Sequence, residues 1–220
     1  MKSMIFDLDG TLLDSMGFWH EIDRKFLREQ GIEPPGDVSD AVKTMTVPQA
    51  SEYLIRRFSL KLTPQQVTDR IGRLAETAYR EELPLKQDAK PFLQKAAALG
   101  IPCAVASVTY PELLHAALNR LGIAQFFSAV ITAEDSAGGK HSPDIYLKTA
   151  ALLGSAPEDT LVFEDALYAA KTAKAAGFPV IGFRDNAASA EWQELEQICG
   201  RTAACWTELL TPSFFRIFTE

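Results

Sequence analysis

The sequence predicts an α/β fold: a parallel sheet core with helices on both faces, plus an all-helical segment inserted after the first strand. Three observations carry that expectation. Short apolar runs recur at residues 4–8, 101–108, 129–132, 160–163 and 179–183. Each is rich in Val, Ile or Phe and apolar on both alternations, as strands buried on both faces read. Amphipathic segments of helix length separate the later runs, whereas residues 15–83 contain no convincing strand.

Within that strandless segment, Phe18, Trp19, Ile22, Phe26 and Leu27 share one helical stripe, closed by Gly31. Tyr53, Leu54 and Phe58 mark a second helix after Pro48. Thr63-Pro64-Gln65-Gln66 reads as a capping-box start with proline in the first turn, followed by Val67, Ile71, Leu74 and Ala78 at helical spacing. The expected division is a core of residues 1–14 and 84–220 and a helical insert of residues 15–83. An insert entering and leaving between adjacent strands is expected over the carboxyl edge of the sheet, where it can act as a lid. In the core, residues 111–121 form the next helix, with Thr109 as N-cap, Pro111 in the first turn and Gly122 as the stop. Residues 166–176 form another, ended by Gly177. Such doubly wound sheets bind ligands beyond the carboxyl ends of their strands.

The 220 residues are 47% hydrophobic and 23% charged, which excludes disordered, collagen-like and coiled-coil classes. No apolar run approaches the roughly 18 residues of a membrane span, and no membrane association is expected. The opening Met1-Lys2-Ser3-Met4-Ile5-Phe6-Asp7 lacks an apolar signal core. Cys103, Cys199 and Cys205 sit in apolar contexts without metal-type spacing, so a reducing, cytoplasmic location is expected. A formal charge of −7 argues against nucleic acid, whose phosphates call for a basic stripe. Nothing implies a protein partner.

The chemistry is concentrated where apolar runs end. Asp7-Leu8-Asp9-Gly10-Thr11-Leu12 follows the first run. Two carboxylates two residues apart project on the same side of a regular strand, and Gly10 then lets the chain turn sharply. Burying two acids together is costly unless a cation or proton offsets them. An acidic turn without further role is the alternative reading of these residues alone.

Ile5-Phe6-Asp7-Leu8-Asp9-Gly10-Thr11-Leu12-Leu13-Asp14-Ser15 resembles the first motif of the haloacid dehalogenase superfamily of phosphohydrolases, in the beta-phosphoglucomutase-like branch with a helical cap after strand one. The remaining motifs fall in order, so the resemblance covers nearly the whole chain. Ala104-Val105-Ala106-Ser107 is similar to the second motif, an apolar strand ending in a phosphate-binding hydroxyl, although Val108 stands where many members have Asn. Gly138-Gly139-Lys140-His141-Ser142-Pro143-Asp144 resembles the third, with His141 in place of the first proline. Leu161-Val162-Phe163-Glu164-Asp165 resembles the fourth, with Ala166 and Ala169 where Ser and Gly are usual. His141 could reach the phosphate or the cap, or serve only at the surface.

The resemblance implies a Rossmann-like core and the following roles. Asp7 attacks phosphorus as the nucleophile, and Asp9 is the general acid and then the general base. Ser107 and Lys140 bind the phosphoryl oxygens. Mg²⁺ is held by the Asp7 side chain, the Asp9 backbone carbonyl, Asp165, and Glu164 directly or through water. Electrostatics point the same way: Asp7, Asp9, Glu164 and Asp165 against Lys140 leave three net negative charges before a phosphate arrives. A divalent cation offsets that excess. Asp9 points to phosphate esters, since the dehalogenase and phosphonatase branches lack an acid there.

The expected function is therefore a phosphatase acting on a small phosphorylated metabolite. Two alternatives stay open: a sugar-phosphate mutase of the beta-phosphoglucomutase type, and a binding protein without catalysis. The mutase group grips its distal phosphate with an Arg in a cap loop of the form Gly-x-Ser-Arg. The similar stretch here, Lys43-Thr44-Met45-Thr46-Val47, has Val47 at the aligned position, with Lys43, Arg56 and Arg57 as other sources of charge.

Overall fold

A computed structural model of the chain describes residues 1–42, 45, 47–136, 138–185 and 191–219. Its order is β1 (Ser3–Phe6), α1 (Met16–Glu29), α2 (Val38–Val42), α3 (Val47–Phe58), α4 (Pro64–Thr77), α5 (Ala89–Ala98), β2 (Cys103–Ser107), α6 (Pro111–Arg120), β3 (Ala129–Thr132), α7 (Asp144–Leu152), β4 (Thr160–Glu164), α8 (Leu167–Ala175), β5 (Val180–Phe183), α9 (Trp192–Cys199), β6 (Thr202–Ala203) and α10 (Pro212–Arg216). The strands pair in parallel in the order β3-β2-β1-β4-β5-β6. The order runs one way from β1 through β2 to β3 and the other way from β4 to β6, so the switch point, where such sheets open a crevice beyond the strand ends, lies between β1 and β4.

Alternation along the strands builds two apolar layers. Ile5, Ala106, Val162 and Val180 pack against Ile145, Tyr146 and Ala150 of α7, Leu167, Ala170 and Ala173 of α8, and Leu195 of α9. On the other face, Phe6, Phe163 and Phe183 meet Phe92 of α5, Phe214 of α10 and Trp206 in one aromatic cluster. Trp206 is fully buried. The two-residue β6, the helices α5, α9 and α10, and the C-terminal aromatic layer have no counterpart in the sequence-based reading.

The chain divides into two compact units, Met1–Ser15 with Leu83–Glu220, and Met16–Glu82. Among its described residues the second unit has helices and no strand. There α1 buries Ile22, Phe26 and Leu27, and α4 buries Val67, Ile71 and Leu74. Thr63 caps α4 in a complete capping box: its side chain accepts from Gln66 N at 3.2 Å, while Gln66 Oε1 accepts from Thr63 N at 2.8 Å. A single π-helical turn, Ala78–Glu82, extends α4. In the first unit the departing and returning chains pair with each other: Asp14 N donates to Pro84 O at 3.0 Å and Lys86 N to Leu12 O at 2.8 Å.

One local expectation is overturned. Thr109 is not the N-cap of α6; that position belongs to Tyr110, and no side chain caps the helix. Pro111 at the first helical position removes one donor that a cap would serve, and the Thr109 hydroxyl is engaged elsewhere.

Candidate active site

Asp7 remains in register with the sheet just past β1, since its N–H donates to Phe163 O at 3.0 Å. The chain then folds back. Leu12 N and Leu13 N both donate to Leu8 O, at 2.9 and 2.8 Å, and Gly10 N donates to Leu13 O at 3.0 Å. Gly10 takes φ +82°, a conformation that side-chain-bearing residues resist. Trp206 pins the turn from below, donating its indole N–H to Thr11 O at 3.1 Å. Asp7 and Asp9 are thereby held on a turn with little freedom.

Around Asp7 lies a buried charge cluster. Lys140, on a short 3₁₀ turn (Gly139–His141) between β3 and α7, directs its Nζ to Asp7 Oδ1 and lies 2.5 Å from Glu164 Oε1. Its side chain is 3% exposed and that of Glu164 is wholly buried. Tyr146 of α7 donates its hydroxyl to the same Glu164 Oε1 at 2.7 Å. Burial alone would depress the Lys140 ammonium, but Asp7 and Glu164 reverse that and hold it above its ordinary value. The Asp7 carboxyl is raised to about 7: burial pushes it up, Lys140 opposes, and the charges of Glu164 and Asp9 push it up again. Asp165 is driven well above the usual carboxylate range by burial and then by Asp7 and Glu164.

Asp9 has different company. Its Oδ2 accepts from the Thr109 hydroxyl at 2.5 Å. Thr109 in turn accepts from Ser107 Oγ at 3.1 Å, and its N–H donates to that Oγ at 3.1 Å. A row of hydroxyls thus runs from the end of β2 to Asp9, whereas Asp7 faces an ammonium.

The donor set suits a hard cation. Oxygens from Asp7, Glu164 and Asp165 lie within 4.8 Å of one another. Glu164 Oε2 is buried without a hydrogen-bond partner, an expensive state for a carboxylate oxygen unless a cation meets it. An all-oxygen set matches Mg²⁺ or Ca²⁺ better than softer metals. The Asp9 carboxylate is outside this group, so Asp9 would contribute through its backbone carbonyl.

The structure brings Asp7, Lys140, Glu164 and Asp165 together, and links Ser107 to Asp9 through Thr109. Two participants escaped sequence reasoning. Thr109 reads as a helix cap in the sequence, and Tyr146 carries no signal there of its own. His141 is exposed and stacks on Tyr168 of α8, with ring centroids 4.4 Å apart. In the second unit Arg56 pairs with Glu52, and Arg57 with Asp37 and the Tyr53 hydroxyl. Lys43, Thr44 and Thr46 lie outside the described residues. No described helix is long and apolar enough to cross a membrane.

Known proteins resemble this chain along most of its length. The chain is 26% identical to fructose-1-phosphate phosphatase YqaB of Escherichia coli over 82% of this chain and 95% of that one. It is 27% identical to beta-phosphoglucomutase of Bacillus subtilis over 83% of each. Among solved structures, a conserved haloacid dehalogenase-like protein of Agrobacterium tumefaciens superposes with a TM-score of 0.78 over the whole of both chains, at 23% identity. Residues 1–177 match the haloacid dehalogenase-like hydrolase family, and the chain belongs to it.

Proposed function

We propose that this hydrolase is a Mg²⁺-dependent phosphatase that cleaves a small phosphate monoester through an aspartyl-phosphate on Asp7. The observation that carries the reading is the division of labour between neighbouring acids. Asp7 is buried against Lys140, while Asp9, two residues on, is oriented by a hydroxyl. In the first step an Asp7 oxygen forms a bond to phosphorus as the ester P–O bond breaks, and Asp9 gives its proton to the departing oxygen. In the second, water attacks phosphorus, Asp9 takes its proton, and the Asp7–phosphorus bond breaks to release inorganic phosphate. Lys140 offsets charge on the nucleophile and on the phosphoryl oxygens, and Ser107 offers a hydroxyl to the latter. A Mg²⁺ held by Asp7, Glu164, Asp165 and the Asp9 carbonyl would supply the remaining positive charge for an incoming dianion.

We assign residues 15–83 the role of a cap that selects the substrate. The name of the E. coli relative supports a phosphorylated sugar as the class. The cytoplasm is the compartment assigned, supported by three cysteines that are all free thiols. A phosphatase is favoured over a mutase because Arg56 and Arg57 are both engaged by acids of their own unit.

The test is a panel of sugar and other small phosphate monoesters with Mg²⁺, quenched early and reduced with borohydride. Phosphate release with the reduced residue at position 7 is expected; turnover with the label elsewhere overturns the assignment. With beta-glucose 1-phosphate and a trace of its 1,6-bisphosphate, inorganic phosphate should outpace glucose 6-phosphate. The reverse ratio establishes the mutase.

A further inference from the structure

Lys140 poses a mechanical problem. Its side chain must hold one position between two carboxylates, yet it rides on a short turn preceded by two glycines at φ +87° and +53°. Glycines in such conformations give the backbone wide freedom. Among the described residues the turn's backbone hydrogen bonds are Gly139 N to Ser136 O at 3.2 Å, His141 N to Gly138 O at 3.1 Å, and Ser142 N to Gly139 O at 3.4 Å, the last near the limit for such a bond. Beyond these bonds and the ion pairs of Lys140 itself, a further hold on the turn would keep the ammonium in place.

The next residue supplies it. The His141 ring lies nearly parallel to Tyr168, with 24° between the planes and 4.4 Å between centroids. Tyr168 is in the first turn of α8, immediately after the segment that carries Glu164 and Asp165. The stack therefore joins the carrier of the ammonium to the carrier of the acids. Tyr168 is 39% exposed and His141 is exposed, so burial of apolar surface does not explain the pair.

We infer that the His141–Tyr168 stack is a positioning clamp for Lys140, holding the Gly139–His141 turn against α8 so that the ammonium stays between Asp7 and Glu164. This rests on the phosphatase reading for its catalytic consequence, but not for its structural one. His141 touches none of Asp7, Glu164 or Lys140 through a described side-chain hydrogen bond, so it acts through the turn. Stacking needs a flat ring rather than an imidazole.

The experiment uses the full chain in four forms beside the wild type: His141→Ala, Tyr168→Ala, the double variant, and His141→Phe. Two measurements are made on each. Hydrogen exchange at residues 138–142 reports the turn without reference to activity, and steady-state kinetics on a phosphate ester reports the consequence. Each Ala variant should speed exchange there and lower kcat by about three- to tenfold, the range that loss of one aromatic pair implies. KM should move less than kcat. The double variant should be no worse than the poorer single, because one contact has been removed in all three. His141→Phe should restore both readouts to near wild type.

Unchanged exchange in both Ala variants overturns the clamp. So do multiplicative effects in the double variant, or a Phe variant as impaired as Ala. If the wild type hydrolyses no ester, the phosphatase reading fails, and the exchange data alone still decide the clamp.

Discussion

Both units of this chain carry exposed ion pairs, but among the described residues the sheet unit also buries a charge cluster. In the sheet unit, Lys140, Asp7 and Glu164 are paired while no more than 6% exposed. In the helical unit the pairs lie in solvent: Arg56 with Glu52 at 77% and 57% exposure, and Arg80 with Glu76 at 49% and 51%. Exposed pairs add little stability and are screened by salt. Buried charges cost several kcal/mol each to desolvate, and a fold that keeps them gives up stability for something else. The comparison separates charges that keep a surface wet from charges that do chemistry.

The largest effect expected is at the proposed nucleophile. Asp7→Asn should lower phosphate release by at least about three orders of magnitude, because an amide cannot form the acyl phosphate. Its thermal midpoint should equal or exceed the wild type, since one repelling acid leaves the cluster. A folded Asn variant with turnover well above background would break the contrast at its centre.

Lys140→Ala should lose both activity and stability. Removing one partner of a buried ion pair typically costs about 3–5 kcal/mol. That loss should be greatest at neutral pH and shrink as the acids protonate at low pH. A midpoint unchanged at pH 7 in calorimetry would show that the cluster bears its own charge unaided.

Metal removal carries a definite sign. Asp7 binds its proton more tightly in the folded chain, at about 7 against 3.8. The folded state therefore holds more protons across that interval, and stability in chelator should fall as pH rises from about 4 to about 7. The loss should be about 2–4 kcal/mol. Added Mg²⁺ should raise the midpoint most at pH 7 and above, and Asp7→Asn should make the profile shallower, with Asp165 still contributing in the same direction. Chelation should also abolish turnover. A flat profile in wild-type protein would contradict the raised carboxyl.

Thr109→Val keeps the shape and removes the hydroxyl that orients Asp9. A fall in kcat of about tenfold is expected, with little change in KM, as for loss of one positioning hydrogen bond. The smallest effect belongs to the helical unit. Arg80→Ala should move the thermal midpoint by no more than about 2 °C. A larger shift would mean that exposed pairs matter there after all.

What could be read in advance follows the same division. Strands such as β1, β2 and β4 announce themselves because burial on both faces leaves an unbroken apolar run. Acids at their ends stand out against it. Thr109 was misread because a Thr just before a Pro-started helix is a common cap, and its real partner, Asp9, is remote in sequence. Tyr146 and Glu164, like His141 and Tyr168, meet only through tertiary packing. The strand β6 is two residues long and has no periodicity to detect.

The indole of Trp206, bonded to Thr11 O, has a consequence for how the protein is made. Synthesis delivers Asp7 and Asp9 well before Trp206. Until residue 206 is made, a nascent chain thus carries these two carboxylates on a turn that lacks its indole support. β1 also waits for β4, its central neighbour, whose residues begin at Thr160. The full support of this turn therefore becomes available only once both β4 and Trp206 have been made.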